Sequence, residues 1–196
     1  MEKIYLIDAN EKLISAWKDS FQEWSDVEVV HGDYFSVPAD AMVSPANSFG
    51  YMDGGLDLAI RYELGEKIER DVQEVILNNY HGELPVGQAE IVNTSHKAWP
   101  FLICTPTMRV PKNISDTMNT YLAFRAVLFA VKKFNEKSSG TKINSLVCPG
   151  LGTGVGSMPA KRCAEQMKMA YFYLSQQPRL SGFNEAHNLE MKLTNV

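Results

Sequence analysis

Apolar positions along the chain switch between short continuous runs and a helical period, and each switch marks an element. Ile4 to Ile7 is a run closed by Asp8-Ala9-Asn10, after which Leu13, Trp17, Phe21 and Trp24 recur at helical intervals. Val27 to Val30 reads as a second strand. Ala41 to Val43 reads as a third, entered by Pro38 and closed at Ser44-Pro45, where the proline has no place in a central ladder. Helical spacing returns at Leu56, Ala59, Ile60 and Leu64, then again at Ile68, Val72, Val75 and Ile76, ending near Asn78-Asn79. Ala89 to Val92 and Phe101 to Thr105 are further strand segments. Between Asp116 and Phe134 almost every position is apolar or small, which predicts a deeply buried helix. Ile143 to Cys148 is the last strand, and Cys163, Met167, Ala170 and Leu174 mark an amphipathic helix behind it. Strands alternating with helices predict a three-layer α/β/α sandwich. No repeat or low-complexity linker divides the chain. The expected organisation is one domain over 1–177, with 178–196 a polar C-terminal tail of unassigned structure.

Composition narrows the classes. With 45% hydrophobic and 21% charged residues over 196 positions, the chain is globular rather than disordered. A domain of this size buries roughly 70% of its unfolded surface, enough for a core without disulfides or metal. A net charge of −4 argues against a general nucleic-acid binder, whose affinity comes from phosphate neutralisation by Lys and Arg. Cys104, Cys148 and Cys163 are odd in number and form no CxxC pair, which fits reduced thiols in a cytoplasmic protein. No signal-peptide pattern opens the sequence and no run approaches the ~18 apolar residues of a membrane span, so no membrane partner is expected.

The strongest chemical signal is Cys148-Pro-Gly-Leu-Gly-Thr-Gly-Val-Gly-Ser157 between the last strand and the last helix. Pro159 sits where that helix begins, as proline prefers. Alternating glycines let backbone N–H groups turn toward one point, and a helix N-terminus adds partial positive charge. Together they suit a phosphate or diphosphate. The alternative is a glycine-rich turn without a ligand. Neither the Walker A pattern nor G-x-G-x-x-G fits. A second loop, Ser44 to Asp57, also joins a strand to a helix, so both can meet at one sheet edge, where α/β proteins bind ligands. Within it Asn47 suits a sugar hydroxyl or an ordinary Asx-turn. Asp57 falls at a helix start, where a carboxylate is stabilised by the dipole and its pKa is expected to be low. Asp53 reads as a turn residue, and Asp33 in His31-Gly-Asp-Tyr34 as a cap or turn. Arg109, in a proline-bounded segment, is either a solvated loop residue or an anion contact. His31, His81, His96 and His187 lack metal-ligand spacing, so no metal and no cofactor is expected.

Taken jointly, these loops resemble the macrodomain family of ADP-ribose-binding and ADP-ribose-hydrolysing modules. The family's G-D-[IV], V-N-A-A-N, G-G-V-D and P-x-[IL]-[GS]-T-G elements correspond to Gly32-Asp33-Tyr34, Val43-Ser-Pro-Ala-Asn47, Gly54-Gly-Leu-Asp57 and Pro149-Gly-Leu-Gly-Thr-Gly154, in that order. Gly87-Gln-Ala89 is similar to the family's G-x-A element, and the likeness spans roughly 28–175. Asn47 and Asp57 keep the ten-residue offset of the hydrolytic MacroD-type motif. The resemblance implies a mixed central sheet between two helical layers. It implies that Asp33 takes the adenine amino group with the Tyr34 backbone N–H beside it, and that Asn47 holds the distal ribose. Gly54 and Gly55 would line the diphosphate from one side, and the loop Gly152, Thr153, Gly154, Val155, Gly156 from the other. Asp57 would be the carboxylate beside the attacking water. The implied partner is ADP-ribose or an ADP-ribosylated protein, with nucleic-acid-linked ADP-ribose also open. The implied activity is hydrolysis of an ester-type ADP-ribosyl linkage; alternatives are a non-catalytic binding module and a phosphatase acting on ADP-ribose 1″-phosphate. Three departures stand out. Ser44-Pro45 replaces Asn-Ala, Met52 and Asp53 replace two glycines, and Gly156 sits where many hydrolases carry Phe or Tyr against the distal ribose.

Overall fold

The computed structural model describes residues 1–195. Six strands, β1 (Lys3–Asp8), β2 (Val27–His31), β3 (Ala41–Ser44), β4 (Glu90–Asn93), β5 (Phe101–Cys104) and β6 (Ser145–Cys148), form one sheet in the order β2-β1-β6-β3-β5-β4. Every neighbouring pair is parallel except the antiparallel edge pair β4–β5. The sheet is therefore mixed, as the resemblance implies. Helices α1 (Glu11–Phe21), α4 (Asn119–Lys137) and α5 (Ala160–Gln176) cover one face, while α2 (Gly55–Leu64) and α3 (Lys67–Tyr80) cover the other.

The strand side chains show why both layers are needed. Ala41, Val43, Ile103, Leu146 and Cys148 enter the core under α1, α4 and α5, whereas Met42, Leu102, Cys104 and Val147 enter the core under α2 and α3. Successive residues point to opposite faces, and both faces are dry, so the central strands are apolar at almost every position.

Three differences from the sequence reading have local causes. Helix α4 begins at Asn119, not near Asp116, and is buried on one face only: Leu122 and Phe129 remain 37% and 39% exposed. Counting apolar residues overstates burial when two of them lie on the outer face. Strand β6 begins at Ser145 because Ile143 leaves the ladder, its N–H donating to Asn135 Oδ1 at 2.8 Å. In the tail, Phe183–Thr194 forms helix α6, docked where the Gln166 side chain donates to the Leu193 carbonyl at 3.1 Å. Leu193 itself is fully buried.

Among the described residues no helix is long and apolar enough to cross a membrane.

Candidate functional site

The carboxyl ends of β1, β3 and β6 and the loops that follow them enclose a cleft of about 470 Å³. Its lining includes all eleven residues singled out from the sequence: Asp33, Tyr34, Asn47, Gly54, Gly55, Asp57 and the run 152–156. The sheet edge is thus the meeting point of two loops more than ninety residues apart in sequence.

At one end, Asp33 caps a single 3-10 turn (Tyr34–Ser36), its Oδ1 accepting the Phe35 N–H at 3.1 Å while the carboxylate stays exposed. The Tyr34 ring turns inward instead. Its one hydroxyl hydrogen is shared between the carbonyls of Val43 (2.7 Å) and Val147 (3.2 Å), and its oxygen accepts the Val43 N–H at 2.9 Å. The paired register of β3 and β6 ends at Met42–Val147, so the phenol fills the fork where the two strands part. Sequence reasoning gave Tyr34 only a backbone role; its side chain is buried structure.

The loop 149–157 forms one wall. Gly152 has φ +77°, a conformation that disfavours side chains. At Gly156 a Cβ would lie 2.5 Å from the Gly152 carbonyl and 2.7 Å from Ile114 Cγ1. The Ile114 N–H also donates to the Gly156 carbonyl at 2.8 Å, so the segment around Ile114 is seated directly on the loop. Here the missing aromatic ring at position 156 has a packing cause. Gly154 differs: it is exposed and a Cβ there would meet nothing within 4 Å. Among the described residues, the backbone N–H groups of 153–156 donate to no protein acceptor, nor does that of Gly55 at the start of α2. A run of four unsatisfied amides and a further one at the start of α2 therefore line one cleft, an arrangement suited to a bridging anion.

The opposite wall is the loop 45–54. Asn47 Oδ1 accepts from the N–H groups of Phe49 (3.0 Å) and Tyr51 (3.3 Å), and its Nδ2 donates to the Tyr51 carbonyl at 2.7 Å. The amide thus shapes its own loop and keeps one N–H for another partner. Met52 is buried in the α2–α3 core, which explains a large apolar residue inside the glycine run. Its N–H donates to Glu69 Oε1 at 2.8 Å, and Arg61 holds Glu69 Oε2 at 2.9 Å. Asp53 is exposed. Asp57 lies in the first turn of α2 and is partly buried. Burial is the largest influence on its carboxyl, and the negative charge of Asp53 acts in the same direction; a hydrogen bond from Ser44 opposes them. The result is a pKa raised to about 6, not the low value expected from the helix start alone. Desolvation outweighs the dipole here.

The sequence reading gave neither Ser44 nor Asp8 a part in the chemistry. The Ser44 hydroxyl donates to Asp57 Oδ1 at 2.6 Å. Asp8, the last residue of β1, accepts the N–H groups of Asn10 (2.9 Å, Oδ1) and Gly150 (3.3 Å, Oδ2) and so ties the glycine loop to its strand. Its position at a strand's carboxyl end was the available signal. Arg109 does not line the cleft; it is paired with Glu83 at 2.6 and 3.0 Å and lies over the Phe49 ring. The three cysteines are buried, their thiols pushed up by burial. No group of three His, Cys, Asp or Glu side chains able to hold a metal occurs among the described residues.

With this geometry in view, a family model described as Macro domain matches residues 43–167. An uncharacterised protein of Aquifex aeolicus (strain VF5) is 34% identical over 142 residues, covering 72% of this chain and 78% of that protein. A macro domain-containing protein of Listeria monocytogenes is 26% identical over 142 residues, covering 71% and 75% respectively. Among solved structures, the macrodomain of Mycobacterium tuberculosis DarG superposes with a TM-score of 0.60 at 21% identity over 76% of this chain and 90% of that one. The Oceanobacillus iheyensis macrodomain with ADP gives a TM-score of 0.59 at 23% identity over 82% and 87%.

Proposed function

The chain belongs to the macrodomain family, and from that premise we propose that it binds ADP-ribose in this cleft and hydrolyses ester-type ADP-ribosyl linkages. The observation that carries the reading is the convergence of the unsatisfied amides of 153–156, the Gly55 amide and one desolvated carboxylate in a single cleft. In this reading Asp33 accepts from the adenine amino group, with the Tyr34 N–H beside it. The diphosphate lies between Gly54–Gly55 and the amides of 152–156, where dipoles stabilise it without a metal. The remaining Asn47 N–H takes a hydroxyl of the distal ribose. Water adds to the anomeric carbon as the bond from that carbon to the ester oxygen breaks. The substrate's side chain leaves as a carboxylate, and the water's proton passes to Asp57 and from there to solvent. With a pKa near 6, Asp57 is about nine-tenths ionised at pH 7 and still basic enough to take that proton.

Binding without turnover is the second reading, and it is favoured by Gly156, which brings no ring to the sugar end of the cleft. Single-turnover release of ADP-ribose from Glu-linked, Ser-linked and nucleic-acid-linked substrates separates the two. A positioned acid–base group contributes a factor of about 10² to 10⁴, so Asp57→Ala should lose at least the lower figure while its affinity for ADP-ribose changes far less. Equal rates for the two proteins would refute the catalytic role. Tight binding with no release by the wild type establishes the binding module, and inorganic phosphate released from ADP-ribose 1″-phosphate would point to the phosphatase alternative.

A further inference from the structure

Asp57 owes its hydrogen bonding to a residue that the family pattern does not supply. Ser44 ends β3 and is 1% exposed. The next residue is Pro45, which has no N–H to offer. Among the described residues, the Ser44 hydroxyl is the one hydrogen-bond donor to the Asp57 carboxylate, and its 2.6 Å reach is the length of a charge-assisted O–H···O⁻ bond.

The groups facing Asp57 make that single bond consequential. Asp53, at the loop end, is negative and disfavours a second negative charge. Tyr34, in the fork between β3 and β6, and Cys104, at the end of β5, are both buried. Their own ionisation is pushed up, first by burial and further by Asp57 itself, so both stay neutral. Among the described residues no cation acts on Asp57. Besides the N-terminus of α2, the serine hydroxyl is the one group among the described residues that acts in favour of the ionised carboxylate.

We propose that Ser44 is a positioning residue for Asp57: its hydroxyl holds one carboxylate oxygen in a fixed place and leaves the other to orient water. The role rests on Asp57 being the water-activating group proposed above. It also gives the Ser44-Pro45 departure a meaning: the position works through a carboxylate thirteen residues on.

The test follows both the rate and the carboxyl group itself. The pH profile of single-turnover ADP-ribose release is measured for wild type and Ser44→Ala, alongside a ¹³C-carboxyl NMR titration of Asp57, its resonance identified by its loss in Asp57→Asn. Removing a charge-assisted hydrogen bond should raise the Asp57 midpoint by about one pH unit. The deficit of Ser44→Ala should therefore be about fivefold larger at pH 6 than at pH 8.5. A role in packing alone lowers the limiting rate without moving the midpoint, and an unmoved midpoint in both measurements overturns the proposal. If wild type releases no ADP-ribose, the hydrolytic reading fails and the catalytic role of Ser44 fails with it. The NMR midpoint then still decides whether Ser44 governs the state of Asp57.

Discussion

Replacing Asp57 by Asn should give a protein whose stability relative to wild type increases as the pH rises. The carboxyl titrates at about 6 in the folded chain against an ordinary value of 3.8, so the folded state holds this proton more tightly than the unfolded one. Stability from this group is complete below the unfolded pKa, declines between about pH 3.8 and 6, and is flat above. At about 1.36 kcal/mol per pH unit, the full loss by pH 7 is about 3 kcal/mol. At pH 4.5, where the unfolded carboxyl is already mostly ionised and the folded one is not, the loss is only about 1 kcal/mol. Asn cannot ionise and escapes both. Its carbonyl can still accept from Ser44, but its NH₂ lacks an evident acceptor, which costs about 1–3 kcal/mol independent of pH. The comparison must therefore be made between two pH values rather than at one. Urea unfolding of wild type and Asp57→Asn at pH 7 and pH 4.5, extrapolated linearly to water, supplies it. The variant's relative stability should be greater at pH 7 by about 2 kcal/mol, because every other titrating group is common to both proteins. A difference between the two proteins that does not change with pH would refute the desolvated-carboxylate account.

The glycines at 154 and 156 should behave oppositely. Gly154→Val adds its side chain to open space at the cleft wall, so it should melt as wild type while calorimetry shows ADP-ribose binding lost. Gly156→Val drives a Cβ against the Gly152 carbonyl and Ile114 and should lose about 1–3 kcal/mol or more in denaturant unfolding; wild-type stability there contradicts the packing. Asp33→Ala should weaken ADP-ribose affinity about ten- to hundredfold by calorimetry, and unchanged affinity would remove Asp33 from the site.

Much of the fold was legible because parallel strands buried on both faces leave short apolar runs, and the helices between them leave a different period. Boundaries failed where one side chain overruled the run, as Asn135 does in drawing Ile143 off the sheet. The candidate site was readable as a set of loops at one sheet edge, since order and spacing survive in sequence. What could not be read was contact between distant positions. Nothing in the string joins Ser44 to Asp57, or Gly156 to Ile114, until the chain has folded back. Nor does a helix start disclose how dry it will be, which is why the dipole argument gave the wrong direction for Asp57.

The fork between β3 and β6 has a mechanical consequence. A cleft at that point requires the strands to separate, and separation strips Val43 and Val147 of ladder partners that water cannot replace in the core. A single phenol, Tyr34, serves all three backbone groups, its one hydrogen shared between the two carbonyls and its oxygen taking the Val43 N–H. The segment bearing Asp33 therefore cannot swing outward without withdrawing the hydroxyl and orphaning three buried backbone groups at once, each costing about 1–3 kcal/mol. The opening at this end is thus set before any ligand arrives, and the ordering cost that a flexible pocket incurs on binding is already met. The far wall has no such bolt: its shape depends on the self-bonded loop around Asn47 and on one carboxylate, Glu69, reaching across from α3. A ligand entering this cleft meets a preorganised seat at one end and an adaptable one at the other. Adjustment to different substrates is thereby confined to the half where the bond would be cut.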